Sequence, residues 1–119
     1  MSKSIQELIA EARAQIENLE VDEQRPSLDL RLHLVDIREP QELAELGAIP
    51  GAVHIPKGTL DADPAQLDPS RRVILYCAGG NRSALSTVLL QQHGFENVAH
   101  LGGGFGAWAA AGKPVEPAS

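Results

Sequence analysis

Apolar residues recur along this chain at two spacings, and the change between them separates predicted helices from predicted strands. From Ser4 to Leu19 the spacing is nearly helical, which predicts one amphipathic helix. Its apolar positions are Ile5, Leu8, Ile9, Ala12, Ile16 and Leu19. Ser4 and Glu7 have the spacing of a capping box at its start. We expect the apolar stripe to pack on the body of the domain, or otherwise to form a dimer contact.

Four later runs are short and mostly apolar, which is typical of strands buried on both faces of a parallel sheet. They are LHLVDI (32–37), GAVHIP (51–56), RRVILY (71–76) and NVAHL (97–101). Helices are predicted at PQELAEL (40–46), RSALSTVLLQQHG (82–94) and FGAWAAAG (105–112). The polar segment 57–70 is predicted to be a loop with at most one helical turn. The charged segment 21–31 is predicted to be a connection with at most a short strand at its start.

Strands that alternate with helices predict an α/β protein with a small, mostly parallel central sheet, flanked by helices and preceded by the N-terminal amphipathic helix. We predict an N-terminal helix region at 1–20, one globular domain at 21–114 and a flexible tail at 115–119. Ligands of such sheets bind beyond the carboxyl ends of the strands. The residues that follow the third strand are therefore candidates for a site.

Composition and charge narrow the range of functions. The chain has 119 residues and a formal net charge of -6, so we expect it to bind neither nucleic acid nor an acidic membrane surface. It contains no apolar run long enough to span a membrane, and its first residues are partly acidic, which predicts a cytoplasmic protein. The only cysteine, Cys77, can form neither an internal disulfide nor a multi-cysteine metal site.

Cys77 stands at the junction between the third strand and the next helix. The residues after it, Ala78, Gly79, Gly80 and Asn81, have little side-chain bulk, so the backbone can curl with its N–H groups inward before the helix begins near Arg82. The helix N-terminus and the positive charge of Arg82 favour the thiolate. A nucleophilic cysteine is therefore predicted, because a buried structural cysteine would not need this loop.

Four motifs, taken together, resemble the single-domain rhodaneses, a family of thiosulfate-type sulfurtransferases. They are LVDIREPQEL, IPGAVHIP, CAGGNRS and LGGGFGAW, which lie between Leu34 and Pro114 in the order and spacing of that family. The resemblance implies a three-layer rhodanese-like fold. It also implies that Cys77 accepts a sulfane sulfur from thiosulfate or a related small anionic donor and becomes a persulfide.

The same resemblance implies an acceptor and a set of binding residues. The sulfur would pass to cyanide, as in thiosulfate:cyanide sulfurtransferases, to a small thiol, or to the thiol of a carrier protein. The loop N–H groups would hold the persulfide, and Arg82 would help to bind the donor. The predicted substrate-binding residues are Ala78, Gly79, Gly80, Asn81, Arg82 and Ser83. We predict no cofactor and no metal, and either a monomer or a homodimer.

Two alternatives remain open at this point. A phosphatase or an arsenate reductase could use the same thiolate, although related phosphatases place one residue more between cysteine and arginine than the four found here. The reductase would also lack a resolving cysteine. A rhodanese-like binding module without catalysis would not need Cys77, Arg82 and both loop glycines. Ala78 stands where many thiosulfate enzymes carry a basic or longer side chain, which makes the predicted pocket less positive.

Other conspicuous residues are predicted to be structural. Asp36 can accept backbone N–H groups where its strand ends, and Arg38 can pair with it or with another carboxylate. The histidines have no metal-ligand spacing; they are His33, His54, His93 and His100. The glycines at 102–104 are expected to form a tight turn beside the Cys77 loop, and Trp108 is expected to lie in the core.

Overall fold

A parallel sheet of five strands forms the centre of the structure, a computed structural model that describes residues 4–20 and 32–117. The strands are β1 (Glu17–Leu19), β2 (Leu32–Asp36), β3 (Val53–His54), β4 (Arg72–Tyr76) and β5 (Val98–Leu101). They lie in the order β1-β5-β4-β2-β3, and every pair of neighbours is parallel. The helices are α1 (Ile5–Gln15), α2 (Pro40–Leu46), α3 (Lys57–Ala62), α4 (Asn81–Gln92) and α5 (Gly104–Ala110), and a 3₁₀ turn spans Pro64–Gln66. The predicted α/β class with a mostly parallel sheet is confirmed.

The central strand, β4, is covered on both faces. Val73 and Leu75 lie in one apolar cluster with Leu90 of α4, whereas Ile74 and Tyr76 lie in a second cluster that includes α5 side chains. Successive side chains of a strand point to opposite faces, so a sheet between two helical layers needs an unbroken apolar run. Because the strands are parallel, their carboxyl ends share one edge, and the loop that begins at Cys77 leaves from that edge.

The prediction of a single helix through Leu19 is wrong. Ile16 is extended (φ −126°, ψ 166°), and the next three residues pair with Ala99–Leu101 of β5 as strand β1. The spacing of Leu19 from the preceding apolar residues fits a helix, but its side chain is also buried when the segment is a strand. Pairing with β5 satisfies the backbone as well, so tertiary contacts override the local helical pattern.

Asn18 stabilises the turn from α1 into β1. Its side-chain Nδ2 donates to the carbonyl oxygens of Arg13 and Ile16, at 2.9 and 3.0 Å. These carbonyls at the end of α1 have no partner within the helix, so the amide serves as a C-terminal cap. α1 then packs against α4, and Ala12 is its buried residue.

One further segment differs from its prediction. The segment 57–70, predicted to be a loop with at most one helical turn, contains both α3 and the 3₁₀ turn, because Leu60 is fully buried and anchors the helix to the core. In the C-terminal segment, Glu116 exchanges two backbone hydrogen bonds of 2.9 Å with Ala48, and the flexibility of the tail 115–119 stays a prediction. The predicted connection at 21–31 lies outside the described residues.

No helix in the described part of the chain is long and apolar enough to cross a membrane. The cytoplasmic location stays a prediction.

Candidate active site

Cys77 lies at the carboxyl end of β4, and the following loop wraps backbone N–H groups around its sulfur. The N–H of Gly80 donates to Cys77 Sγ at 3.1 Å, and the N–H of Ser83 donates to it at 3.4 Å. Gly80 has a φ of +94°, a left-handed conformation that turns the chain back toward the sulfur before α4 begins. Oriented backbone dipoles of this kind form a cradle for an anion.

The cradle lowers the pKa of the Cys77 thiol. Burial acts in the opposite direction, because a thiolate loses more solvation than a thiol when it is removed from water. The N–H group of Ser83, together with the Ser83 side chain and the N–H groups of Gly80 and Gly79, outweighs burial, so the pKa falls below its ordinary value. Cys77 is therefore a buried thiol whose surroundings favour the nucleophilic form.

The first turn of α5 binds the carbonyl groups at the start of the Cys77 loop. The N–H of Phe105 donates to the Cys77 carbonyl at 2.8 Å, and the next N–H of α5 donates to the Ala78 carbonyl at 2.9 Å. Gly104 allows this approach, since a Cβ at that position would lie 2.6 Å from both carbonyl oxygens. The glycine turn at 102–104 therefore packs beside the Cys77 loop, as predicted. With its first carbonyls bound to α5, the loop turns its N–H groups toward the sulfur.

Arg13 of α1 holds the outer side of the loop. Its Nη2 donates to the Gly79 carbonyl at 3.3 Å and to Asn81 Oδ1 at 3.2 Å, and its Nη1 donates to the Gly102 carbonyl at 3.1 Å. The Gly79 carbonyl belongs to the same peptide unit as the Gly80 N–H, which donates to the sulfur. Arg13 thus orients one of the donors of the cradle through the opposite end of its peptide.

Arg82, expected to bring a free positive charge to the loop, is paired with Glu42 of α2. Its Nη1 and Nη2 donate to the two carboxylate oxygens of Glu42 at 2.7 and 2.9 Å. The hydrogen bond from Arg82 lowers the pKa of Glu42 to about 2, so the carboxylate is ionised at neutral pH. The two charges offset each other, and the attraction of the cradle for anions therefore depends mainly on backbone N–H groups.

Ser83, the last of the predicted binding residues, joins the sulfur to a buried histidine. Its Oγ lies 3.6 Å from Cys77 Sγ and 2.7 Å from Nδ1 of His100, whose Nε2 lies 2.6 Å from Oδ1 of Asn18. No local sequence pattern indicates this arrangement, because Cys77 follows β4, whereas its partners lie in α4, β5 and β1. His100 was predicted to be structural on the ground that its spacing matches no metal site.

The predicted site residues occupy two kinds of position. Gly80 and Ser83 donate to the sulfur, whereas the others are held by groups outside the loop. The latter are Ala78, bound through its carbonyl to α5, Gly79 and Asn81, bound by Arg13, and Arg82, bound by Glu42. Their role in substrate binding stays a prediction. Sequence reasoning missed Arg13, Glu42 and Asn18 as neighbours of the site.

Asp36 and Arg38 form a buried ion pair beside the site, as their predicted structural role requires. Arg38 donates to Asp36 from Nε and from Nη2, the latter at 2.7 Å, and Nη2 also donates to the Gly47 carbonyl. The guanidinium carbon lies 4.2 Å from the centroid of the Phe105 ring. The pair therefore links β2 and the end of α2 to α5, which supports the loop. Among residues 4–20 and 32–117, no group of three or more His, Cys, Asp and Glu side chains could hold a metal ion.

A cysteine thiol in a cradle of N–H groups, at the carboxyl edge of a parallel sheet, defines an α/β protein with a nucleophilic thiol site. The family model of the rhodanese-like domain matches residues 10–111, and the chain belongs to this family. A protein of Allochromatium vinosum named sulfurtransferase is 39% identical over 82 residues, which are 69% of this chain and 76% of that protein. The resemblance inferred from the four motifs is confirmed.

Two solved structures share the fold. A protein of unknown function from Rhodopseudomonas palustris, described as a possible tyrosine phosphatase, has a TM-score of 0.86 and 36% identity; the match covers 98% of this chain and 96% of that chain. The thiosulfate sulfurtransferase of Pseudomonas aeruginosa has a TM-score of 0.76 and 34% identity, and the match covers 92% of this chain and 22% of that chain. The rhodanese-like three-layer fold is thereby confirmed.

Proposed function

We propose that this chain is a rhodanese-type sulfurtransferase that moves a sulfane sulfur from a small donor, through a persulfide on Cys77, to an external acceptor. The observation that carries the proposal is the N–H cradle, with Gly80 and Ser83 donating to Sγ at 3.1 and 3.4 Å. Fixed N–H donors stabilise a negatively charged sulfur without the reorganisation that water would require. The sulfurtransferase name of the Allochromatium vinosum relative supports the same reaction.

Loading of the enzyme is a displacement at sulfur. The Cys77 thiolate attacks the outer sulfur of thiosulfate, a new S–S bond forms, and the bond to the sulfonate sulfur breaks. Sulfite leaves with the bonding electron pair, and Cys77 carries an anionic persulfide. Because the cradle stabilises this anion, the loaded protein should persist until an acceptor arrives.

Unloading requires a second molecule, because the chain has a single cysteine. Cyanide or an acceptor thiolate attacks the terminal sulfur, and Cys77 leaves as the displaced thiolate. The donor product therefore departs before the acceptor is used, which defines a ping-pong cycle. We propose a small thiol or the thiol of a carrier protein as the acceptor.

A phosphatase reaction on the same thiolate is the second candidate. The likeness to the Rhodopseudomonas palustris protein, described as a possible tyrosine phosphatase, favours it. Against it, a loop with four residues between Cys77 and Arg82 makes a narrow cradle, and Arg82 is already paired with Glu42. A tetrahedral phosphate needs more donors and a wider opening than one sulfur atom.

The deciding experiment is intact-mass spectrometry after treatment with thiosulfate and desalting. We expect a species heavier by about one sulfur atom, which disappears when cyanide is added. Cys77→Ser should fold normally and never form it, since a hydroxyl cannot carry a persulfide. Double-reciprocal plots at several fixed cyanide concentrations should be parallel.

The same preparation is assayed with a phosphotyrosine peptide as a control for the alternative. Absence of the sulfur adduct together with Cys77-dependent release of phosphate would replace the sulfurtransferase by the phosphatase. Absence of both reactions would leave a binding module.

A further inference from the structure

A chain of polar side chains runs from the buried Cys77 to the exposed Asn18 of β1, and the transfer steps above use only its first member, Cys77. It consists of Cys77, Ser83, His100 and Asn18, joined at 3.6, 2.7 and 2.6 Å. Ser83 and His100 are fully buried. Buried polar groups take their hydrogen bonds from the protein, so the direction of the bond between Ser83 and His100 matters.

Asn18 fixes those directions. Its Nδ2 donates to the carbonyls of Arg13 and Ile16, and carbonyls only accept, so the amide oxygen must face His100. An amide oxygen also only accepts, which places a hydrogen on His100 Nε2. In the neutral imidazole Nδ1 is then without a hydrogen, and it accepts the hydroxyl hydrogen of Ser83.

The neutral form of His100 is the one present at physiological pH. Burial and the positive charge of Arg13 lower the pKa of His100 to about 4. On the side of the sulfur, the other charged groups are Arg82 of α4 and Glu42 of α2, which are paired with each other. A hydroxyl has one hydrogen, so Ser83 cannot donate to His100 and to Cys77 at the same time.

We propose that His100 is a positioning residue that commits the Ser83 hydroxyl hydrogen to Nδ1 and leaves the hydroxyl oxygen to accept the S–H hydrogen of Cys77. The loop then acts on Cys77 in two opposed ways. The N–H groups of Gly80 and Ser83 favour the thiolate. A Ser83 hydroxyl that donated to the sulfur would also lower the pKa of Cys77, but with its hydrogen committed to His100 its oxygen can only accept and favours the thiol. His100 thereby sets how much thiolate the resting protein contains.

This arrangement suits the unloading step, and for that step the inference rests on the proposed function. When a thiol acceptor takes the terminal sulfur, the new S–S bond of the acceptor forms and the persulfide bond to Cys77 breaks. The electron pair goes to Cys77 Sγ, and the proton released by the acceptor thiol is taken up there. The Ser83 oxygen accepts the resulting S–H hydrogen, which favours completion of the transfer.

The test is the pH dependence of alkylation of Cys77 by iodoacetamide, which reports the thiol pKa. His100→Leu removes the acceptor of the hydroxyl hydrogen and lets Ser83 donate to the thiolate. We expect the apparent pKa to fall by about one unit, the size of a charge-assisted hydrogen bond. His100→Asn can place an amide oxygen near the position of Nδ1, so it should restore the wild-type value.

Both substitutions are repeated in Ser83→Ala, where the connection to the sulfur is cut. There His100→Leu should leave the apparent pKa unchanged, and urea unfolding verifies that each variant is folded. An unchanged or raised pKa in the single His100→Leu variant would overturn the inference, as would an equal shift in the Ser83→Ala background. Alkylation needs no sulfur transfer, so these results are independent of the persulfide assay that tests the proposed function.

Discussion

Glu42 of α2 and Arg82 of α4 form a bidentate ion pair, with oxygen to nitrogen distances of 2.7 and 2.9 Å. The pair couples the LVDIREPQEL motif to the Cys77 loop. The pair also occupies both terminal nitrogens of Arg82, the residue predicted from the sequence to help bind the sulfur donor. Binding of a dianion such as thiosulfate must therefore compete with Glu42 for Arg82.

Replacing Glu42 by Gln should make the site bind thiosulfate more tightly. The amide keeps the size of the side chain but removes the negative charge, so Arg82 becomes available to the donor. We expect the KM for thiosulfate to fall about fivefold, which corresponds to about 1 kcal/mol for a partly exposed charge pair. Steady-state kinetics with cyanide as acceptor measure the change.

Glu45→Gln is the matched control, because Glu45 lies exposed on the same helix. It removes the same charge and should leave the KM nearly unchanged. An uncharged donor, such as a dialkyl trisulfide, should show no gain in Glu42→Gln. A higher KM for thiosulfate in Glu42→Gln would mean that Glu42 positions Arg82 for the donor instead of competing with it.

The two adjacent glycines of the loop should respond differently to alanine. A Cβ on Gly80 would lie 2.1 Å from the Gly102 carbonyl oxygen, and the φ of +94° strains any side chain. Gly80→Ala should therefore lower the free energy of unfolding by about 2–4 kcal/mol. Gly79→Ala meets no atom within 4 Å and should change it by less than about 0.5 kcal/mol. Urea titrations compare the two variants. A loss for Gly80→Ala as small as that for Gly79→Ala would show that the left-handed turn at Gly80 is not required.

The Cys77 loop could be predicted from the sequence, whereas the long-range contacts that hold the loop could not. The motif CAGGNRS predicts the cradle, because the small residues after Cys77 and the start of the next helix are adjacent in the sequence. Arg13 and Gly79, by contrast, are 66 positions apart, and no local pattern brings them together. Asn18 was missed for a related reason: the helical spacing of Leu19 concealed the strand that places Asn18 beside His100. Glu42 lies within a recognised motif, but its partner Arg82 is 40 positions away in α4, and only the tertiary structure shows the pair.

Replacing Arg13 by Ala should weaken the cradle without touching the sulfur. The Gly79 carbonyl loses its donor, so the Gly80 N–H of the same peptide is held less firmly toward Sγ. A weaker donor stabilises the thiolate less, and the pKa of Cys77 should rise. We expect alkylation by iodoacetamide at pH 7 to slow about threefold to tenfold, the effect of about half to one pKa unit.

Arg72→Ala provides the control for loss of an arginine near β1, since Arg72 pairs with Glu17 of that strand and not with the loop. It should leave the alkylation rate unchanged. Arg13→Lys retains the charge but not the planar fork, so an intermediate rate is expected. If Arg13→Lys and Arg13→Ala alkylate at the wild-type rate, the loop keeps its conformation without α1.

The stability of the fold should decrease on mild acidification because of His100. In the unfolded chain its pKa is 6.5, and in the folded protein burial and Arg13 lower it to about 4. Between these values the unfolded state binds a proton that the folded state does not, so stability falls as the pH drops from 6.5 toward 4. At pH 5 the loss should be about 2 kcal/mol relative to pH 7.5.

His100→Asn separates this effect from the other titrating groups. It keeps a hydrogen-bonding side chain but cannot be protonated, so its stability should change less between pH 7.5 and pH 5, as followed by urea titration at each pH. The lowered pKa values of His33, Glu42 and Glu17 act equally in both proteins and cancel in the comparison. Equal losses in the two proteins would mean that the folded state accommodates a charged His100. In that case Nδ1 would carry a hydrogen, and the Ser83 hydroxyl would be free to donate to the sulfur.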